Sequence, residues 1–120
     1  MSKATAIIGA SPKPERYAYM ATSRLKKYGH PVYPIGIHQG NIEGETISTD
    51  KPQLKDIDTV TLYVGPQNQG AWIDYILSLK PKRIIFNPGT ENSDFEKQAT
   101  EKGIECIEAC TLVMLSTGQY

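Results

Sequence analysis

The chain lacks the features of composition and charge that mark several large classes of protein. Only two of its 120 residues are cysteines, Cys106 and Cys110, too close together for a disulfide framework, which indicates a reducing compartment. Lys plus Arg and Asp plus Glu both number 13, so no net charge favours nucleic acid or an acidic membrane. No apolar run approaches the roughly 20 residues that cross a bilayer, and no signal segment is expected. We expect one cytoplasmic domain, residues 1–120.

A further absence concerns the first turn of the chain. An apolar strand ends at Gly9, and Ala10, Ser11 and Pro12 lead from it towards a helical stretch. A glycine there permits a sharp turn, and the following helix directs free N–H groups and its positive dipole end at an anion. No second or third glycine follows Gly9, so the G-x-G-x-x-G fingerprint of dinucleotide binding is missing. The turn predicts a phosphate-bearing nucleotide and makes ordinary NAD binding less favoured; a plain tight turn with Ser11 capping the helix is the alternative.

Apolar runs alternate with amphipathic stretches along the whole chain, as in α/β proteins whose strands are buried on both faces. The pattern predicts a doubly wound, mostly parallel five-stranded sheet with strand order 3-2-1-4-5 or close to it. Pro31 and Pro34 indicate that the second strand ends early or lies near an edge, and helical spacing puts Tyr17 on the apolar face of the first helix. The predicted strands are residues 5–9, 31–35, 58–64, 82–86 and 104–107; the predicted helices are 16–28, 69–80, 93–102 and a short one within 110–116, and 38–52 is a polar loop.

The carboxyl ends of the strands converge on one edge of such a sheet, where ligands bind. At the end of the second strand, where NAD binders place an Asp or Glu, the chain has Pro34 to His38 without a carboxylate. A cationic His38 there would tolerate a phosphate on the ribose better than a free diol, and both coenzyme A and NADP carry one. The turns expected at this edge are Gly9–Ser11, Pro34–Gly36, Val64–Pro66 and Asn87–Gly89.

Segments 8–17, 25–35 and 42–45 together resemble the small CoA-binding proteins with a Rossmann-like fold, which are related to the CoA-binding domain of succinyl-CoA synthetase alpha subunits. Segments 57–60 and 103–110 resemble the beginning of that family's third strand and its C-terminal strand with a closing cysteine. Two departures stand out. The family usually has Asn-Pro after the second strand, where this chain has Gly36-Ile37, and a Gln before the Gly after the fourth strand, where this chain has Asn87-Pro88-Gly89.

The resemblance implies non-catalytic binding of coenzyme A or an acyl-CoA as a small-molecule ligand. It implies that the amides of Gly9, Ala10 and Ser11, with the Ser11 hydroxyl, hold the pyrophosphate, and that cationic side chains add charge. The end of the second strand would flank the adenosine, and the turns after the third and fourth strands would line the pantetheine path. The expected ligand-binding residues are Gly9, Ala10, Ser11, Pro12, Lys13, Arg16, Pro34, Ile35, Val64, Gly65, Pro66, Asn87, Pro88 and Gly89.

The sequence shows no catalytic constellation. Ser11 does not lie in a G-x-S-x-G motif, and His30 and His38 lack metal-ligand spacing, so we assign no catalytic residue and no metal. Cys110 is expected to be structural, with a CoA mixed disulfide as a minor hypothesis. The resemblance implies a ligand module separate from ligase machinery. Open alternatives are an NADP-linked enzyme and a partner-binding subunit with an empty crevice; a protein partner or a homo-oligomer is compatible with each.

Overall fold

The computed structural model describes residues 2–120, which form a five-stranded, all-parallel sheet with helices on both faces. The predicted α/β class and single domain are confirmed. The strands are β1 (Thr5–Ile8), β2 (Val32–Ile35), β3 (Asn41–Ile42), β4 (Glu45–Thr46), β5 (Thr59–Leu62), β6 (Arg83–Phe86) and β7 (Glu105–Glu108). The helices are α1 (Tyr17–Lys27), α2 (Ile73–Ser78), α3 (Ser93–Glu101) and α4 (Thr111–Ser116), with a 3₁₀ helix at Pro66–Ala71.

The order of the strands differs from the predicted 3-2-1-4-5. In space the order is β2-β1-β5-β6-β7, so the third long strand pairs with the free side of β1 and β2 lies at the edge. Pro34 explains why β2 lies at the edge of the sheet. Its carbonyl accepts a hydrogen bond from the Ser48 N–H (3.0 Å) on the outer side of β2, but proline has no N–H to donate on that side. A further strand therefore has no complete ladder on that side of β2.

The segment between β2 and β5 is more structured than the predicted polar loop. Strands β3 and β4 pair antiparallel, and the two residues between them, Glu43 and Gly44, both have positive φ (49° and 88°), as a two-residue hairpin turn of type I′ requires. Ile42 is fully buried against the α1 side of the sheet, which fixes the hairpin there. The chain then returns to β5 with Leu54 and Ile57 packed on the opposite face.

Two apolar clusters sandwich the sheet. On the α2 and α3 face, Phe86 and Phe95 are fully buried and meet edge to face, with ring centroids 5.4 Å apart. On the other face, α1 and α4 pack together through Leu25 and Leu115. Each such side chain contributes about 1.5–3 kcal/mol of burial free energy. The predicted short tail helix is thus part of the core, and no helix within residues 2–120 is both long and apolar enough to span a membrane.

Candidate functional site

A cleft of about 800 Å³ opens at the carboxyl ends of β1, β2, β5 and β6, the edge at which the sequence predicts ligand binding. Its walls are the turn after β1, the first turn of α1, the residues after β2 and the loops after β5 and β6. The residues that line it are Gly9, Ala10, Ser11, Lys13, Arg16, Tyr17, Ala18, Ile37, His38, Tyr63, Val64, Gly65, Asn68, Ala71, Trp72, Pro88, Gly89 and Thr90.

The structure brings most of the sequence-predicted binding residues together at this cleft and leaves the others outside it. Pro34 and Ile35 are buried within β2 and the core, so the residues that follow them reach the cleft instead. Pro12, Pro66 and Asn87 are also absent from its walls. The predicted residues that do line it are Gly9, Ala10, Ser11, Lys13, Arg16, Val64, Gly65, Pro88 and Gly89.

The expected use of the first-turn amides needs one correction. The N–H groups of Gly9 and Ala10 both donate to the carbonyl of Ile35, at 2.9 and 3.0 Å, and are therefore satisfied within the fold. They are not free donors for a ligand. Any hydrogen bonding to an anion at this corner falls to Ser11 and to the N-terminus of α1.

Two glycines let the first turn fit between its neighbours. Gly9 has φ +96°, and a Cβ there would lie 3.0 Å from the backbone of Tyr63. A Cβ on Gly36 would overlap the carbonyl oxygen of Ala10. The turn after β1 is therefore packed directly on the backbones of both flanking strands, which holds its position in the sheet.

The N-terminus of α1 opens towards the cleft without a side-chain cap. Arg16 is the N-cap residue and makes no capping hydrogen bond, so Ser11 does not cap this helix as the alternative had it. The Ser11 hydroxyl instead accepts a hydrogen bond from the Lys13 N–H (3.2 Å). Orphan N–H groups and the positive end of the helix dipole thus face the same cavity as the exposed side chains of Lys13 and Arg16.

No carboxylate is among the cleft-lining residues of the described chain, 2–120. The neighbouring Glu91 is turned to the backbone, where its Oε1 accepts a hydrogen bond from the Gly89 N–H (2.9 Å). Two cationic side chains, an imidazole and a helix N-terminus therefore define the electrostatics of the cleft, and this combination suits an anionic ligand.

Asn87 is a structural residue beneath the cleft. Its Nδ2 donates to Thr61 Oγ1 (2.8 Å) and to the Leu62 carbonyl (2.9 Å), and its Oδ1 accepts from the Thr111 N–H (2.9 Å). The side chain is consequently committed to β5 and α4. The sequence alone could not distinguish this role from ligand binding, because an Asn at a strand end suits both.

Several lining residues were not expected from the sequence. Tyr17 was expected to face the core, yet it is 69% exposed at the first position of α1, and Ile37, just after β2, is 75% exposed. Both are large apolar side chains at the rim of the cleft, and Trp72 lies at its opposite side. The helical spacing of Tyr17 was real, but the first turn of α1 extends beyond the apolar cluster. The remaining unexpected residues are Ala18, Tyr63, Asn68, Ala71 and Thr90, whereas His38 was already considered as a neighbour of the ribose phosphate.

Among residues 2–120, no hydrogen bond joins the His38 imidazole to the Ser11 hydroxyl, although both residues line the cleft. Burial raises the pKa of Tyr63 to about 12 despite the nearby hydroxyls of Thr61 and Thr111, so its hydroxyl stays protonated at neutral pH. Cys110 is half-buried before α4 and outside the walls of the cleft. Within residues 2–120, no group of three His, Cys, Asp or Glu side chains is arranged to hold a metal ion.

A second cavity, of about 810 Å³, lies between the C-terminal ends of α2 and α3 and includes Lys80, Lys82 and Lys102. Lys102 caps the C-terminus of α3 and Lys80 follows that of α2. Cations at these positions offset the negative ends of the helix dipoles. Their arrangement is thus accounted for by the helices themselves.

Comparisons with known proteins agree with this fold. The model of the CoA binding domain family matches residues 3–116. A crystal structure of an uncharacterized protein is 52% identical, with a TM-score of 0.98, covering 100% of this chain and 99% of that chain. A hypothetical protein from Pyrococcus horikoshii OT3 is 26% identical, with a TM-score of 0.86, covering 97% of this chain and 83% of that one.

A more distant structure, from Thermus thermophilus, is 23% identical with a TM-score of 0.85 and covers 99% of this chain and 91% of its own, which shows the shared fold. The search of curated proteins found no match. Because the family model spans almost the entire chain, it decides the assignment: the chain belongs to the CoA binding domain family.

Proposed function

We propose that the chain binds coenzyme A or an acyl-CoA in this cleft, with the pyrophosphate at the N-terminus of α1. One observation carries the proposal: the uncapped N-terminus of α1 opens beside Lys13 and Arg16 into a cleft whose described walls contain no carboxylate. Orphan N–H groups, the helix dipole and two cations act on an anion in the same direction. A diphosphate is the group that such a corner accommodates best.

The adenosine end of the ligand fits the β2 side of the cleft. Ile37 and His38 lie there in place of the Pro34 and Ile35 that the sequence indicated, and Tyr17 presents an exposed ring at the rim. No Asp or Glu stands at this end to accept the two hydroxyls of a free ribose diol. A ribose that carries a phosphate is therefore favoured over one that does not.

The pantetheine arm would run along the β5 and β6 side. Val64, Gly65 and Gly89 line this half, and Trp72 closes it with an indole that is 7% exposed. The cleft volume of about 800 Å³ lies within the range of roughly 300–1,000 Å³ found for ligand sites. The walls are mainly apolar or backbone here, as an uncharged, flexible arm requires.

We propose that binding proceeds without catalysis by this chain. The Ser11 hydroxyl accepts a hydrogen bond from the Lys13 N–H, and the buried phenol of Tyr63 stays protonated at neutral pH. The module would act as a carrier, sensor or subunit in the cytoplasm, alone, as a homo-oligomer or with a protein partner. An NADP-linked enzyme and a subunit with an empty crevice remain the competing outcomes of the test.

A thermal-shift panel with coenzyme A, acetyl-CoA, NAD, NADP and ATP tests the proposal on wild type and on Ser11→Asp. A ligand at roughly 100 times its Kd adds about 2.7 kcal/mol to stability, so a binder raises the melting temperature by several degrees. We expect coenzyme A to give the largest rise, and Ser11→Asp to weaken it at least tenfold in Kd, about 1.4 kcal/mol, because a carboxylate then repels the diphosphate.

Ser93→Asp is the matched control, because Ser93 is exposed at the first position of α3, where an added carboxylate suits the helix dipole. It should retain wild-type affinity. A larger rise with NADP than with coenzyme A would support the NADP-linked enzyme instead. No rise with any of the five ligands would support a subunit whose crevice stays empty.

A further inference from the structure

Gln69 is a fully buried polar side chain that the site described so far does not use. It lies in the 3₁₀ helix after β5 and is 0% exposed. Its Nε2 donates to the Val64 carbonyl (2.8 Å) and to the Thr90 carbonyl (2.7 Å), and its Oε1 accepts from Asn92 Nδ2 (2.9 Å). One amide group therefore joins the loop after β5 to the loop after β6.

Both carbonyl partners belong to residues that line the cleft, Val64 from one loop and Thr90 from the other. Thr90 and Asn92, at the β6 end of this connection, are themselves held by further hydrogen bonds. Thr90 donates from its N–H (2.9 Å) and its hydroxyl (2.8 Å) to the Asn87 carbonyl. Asn92 is the N-cap of α3 and accepts from the Phe95 N–H (3.2 Å). The Gln69 amide thus connects the two loops to rigid parts of the sheet and of α3.

An amide at 0% exposure is stabilising only when its hydrogen bonds are made, because an unpaired buried polar group costs about 1–3 kcal/mol. Both donor hydrogens and the acceptor of Gln69 have partners. An apolar side chain of similar size would fill the same volume but would leave the half-buried Val64 carbonyl and the buried Thr90 carbonyl without this donor. Glutamine therefore suits this position because of the hydrogen bonds it makes between the two loops, and not because of the volume it fills.

We propose that Gln69 is a positioning residue for the ligand, holding the loops after β5 and β6 at the spacing that the pantetheine half of coenzyme A needs. This inference rests on the proposed function. The two loops lie on the opposite side of β1 from β2, where the adenosine is placed. Loss of the Gln69 amide should consequently affect the pantetheine half and spare the adenosine half.

The test compares coenzyme A with adenosine 3′,5′-bisphosphate, which lacks the pantetheine arm, by calorimetric titration of wild type, Gln69→Leu and Gln67→Leu. Gln67 is an exposed residue of the same 3₁₀ helix and is outside the cleft walls, so it controls for the loss of a Gln there. We expect Gln69→Leu to weaken coenzyme A at least tenfold and the bisphosphate less than twofold. An equal loss for both ligands, or no loss for coenzyme A, overturns the inference.

Asn92→Ser is a milder second variant in case Gln69→Leu does not fold. Serine keeps an N-cap oxygen for α3 but removes the amide that donates to Gln69. We expect the same selective weakening, of about two- to fivefold. Unchanged coenzyme A affinity in this variant counts against the proposal.

Amide hydrogen exchange of the ligand-free proteins separates this inference from the proposed function. Gln69→Leu should accelerate exchange in residues 64–68 and 88–92 together, while Gln67→Leu should not. Acceleration in one loop alone, or in neither, overturns the connecting role of Gln69. If wild type binds neither ligand, the proposed function fails, and the exchange result still decides whether Gln69 holds the two loops together.

Discussion

Gly9 shows at the scale of a single residue how the fold constrains the site. Its φ of +96° is a conformation that residues with a side chain adopt only with strain, and a Cβ would also press on the backbone of Tyr63. The sequence indicated a glycine-dependent turn here. It could not show that the Gly9 amide is used by Ile35, since that hydrogen bond depends on how β1 and β2 are aligned.

Replacing Gly9 by alanine should therefore destabilise the protein more than backbone strain alone does. We expect Gly9→Ala to lower the free energy of unfolding by roughly 2–3 kcal/mol. Gly103→Ala is the control, because Gly103 also has positive φ (+81°) but has open space around a Cβ, and it should cost about 1 kcal/mol. Equal losses in urea denaturation would contradict the close contact with Tyr63.

His30 makes a residue-scale prediction about pH. Its Nδ1 accepts a hydrogen bond from the Lys3 N–H (2.9 Å), so the imidazole must be neutral, and desolvation, followed by the charge of Lys3, lowers its pKa. A lowered pKa means that the unfolded chain binds the proton more readily. The associated stability is present above pH 6.5 and is lost as the pH falls through the folded-state pKa.

Melting temperatures between pH 7.5 and pH 5 test this prediction. Wild type should lose stability faster than His30→Gln over that window, because the glutamine amide keeps an acceptor for the Lys3 N–H and does not titrate. Parallel curves for the two proteins would show that His30 does not contribute to the pH dependence.

At the scale of secondary-structure elements, α4 is joined to the sheet by buried polar side chains as well as by apolar packing. Asn87 connects β6 to β5 and to α4, and Thr61 and Thr111 share a hydrogen bond of 2.8 Å. Sequence periodicity indicated a short tail helix. It gave no indication of what that helix packs against, because the partners lie 24 to 50 residues away along the chain.

We expect Asn87→Ala to lower the free energy of unfolding by roughly 2–4 kcal/mol, because it leaves several buried groups unpaired. Its effect on coenzyme A affinity, measured under conditions where the variant is folded, should be small. Asn68→Ala is the comparison, since Asn68 is exposed at the cleft and should leave stability nearly unchanged. A stable Asn87→Ala protein that has lost ligand binding would make Asn87 a binding residue after all.

At the scale of the whole molecule, the sequence was sufficient for the class, the number of long strands and the edge that carries the cleft. These follow from hydrophobic periodicity and from the shared direction of parallel strands. The order of the strands was not accessible in the same way. It depends on which side of β1 the third strand joins, and Pro34 affects that choice only through the direction of its missing N–H.

The site was predicted to the nearest loop rather than to the residue. Ile35 is the last residue of β2 and is buried in the core, whereas Ile37 lies beyond the end of the strand and reaches the cleft. The exposed ring of Tyr17 was missed because helical spacing cannot show where the neighbouring apolar layer ends. The absence of a carboxylate at the end of β2, by contrast, was already visible in the sequence.

A structure of the protein crystallised with coenzyme A is the most direct test of where the diphosphate binds. We predict phosphate oxygens within about 2.7–3.2 Å of the free N–H groups at the start of α1, with the pantetheine arm directed towards the β5 and β6 loops. Coenzyme A bound instead at the lysine-lined cavity between the ends of α2 and α3, or at the cleft with its phosphates away from α1, would contradict the account.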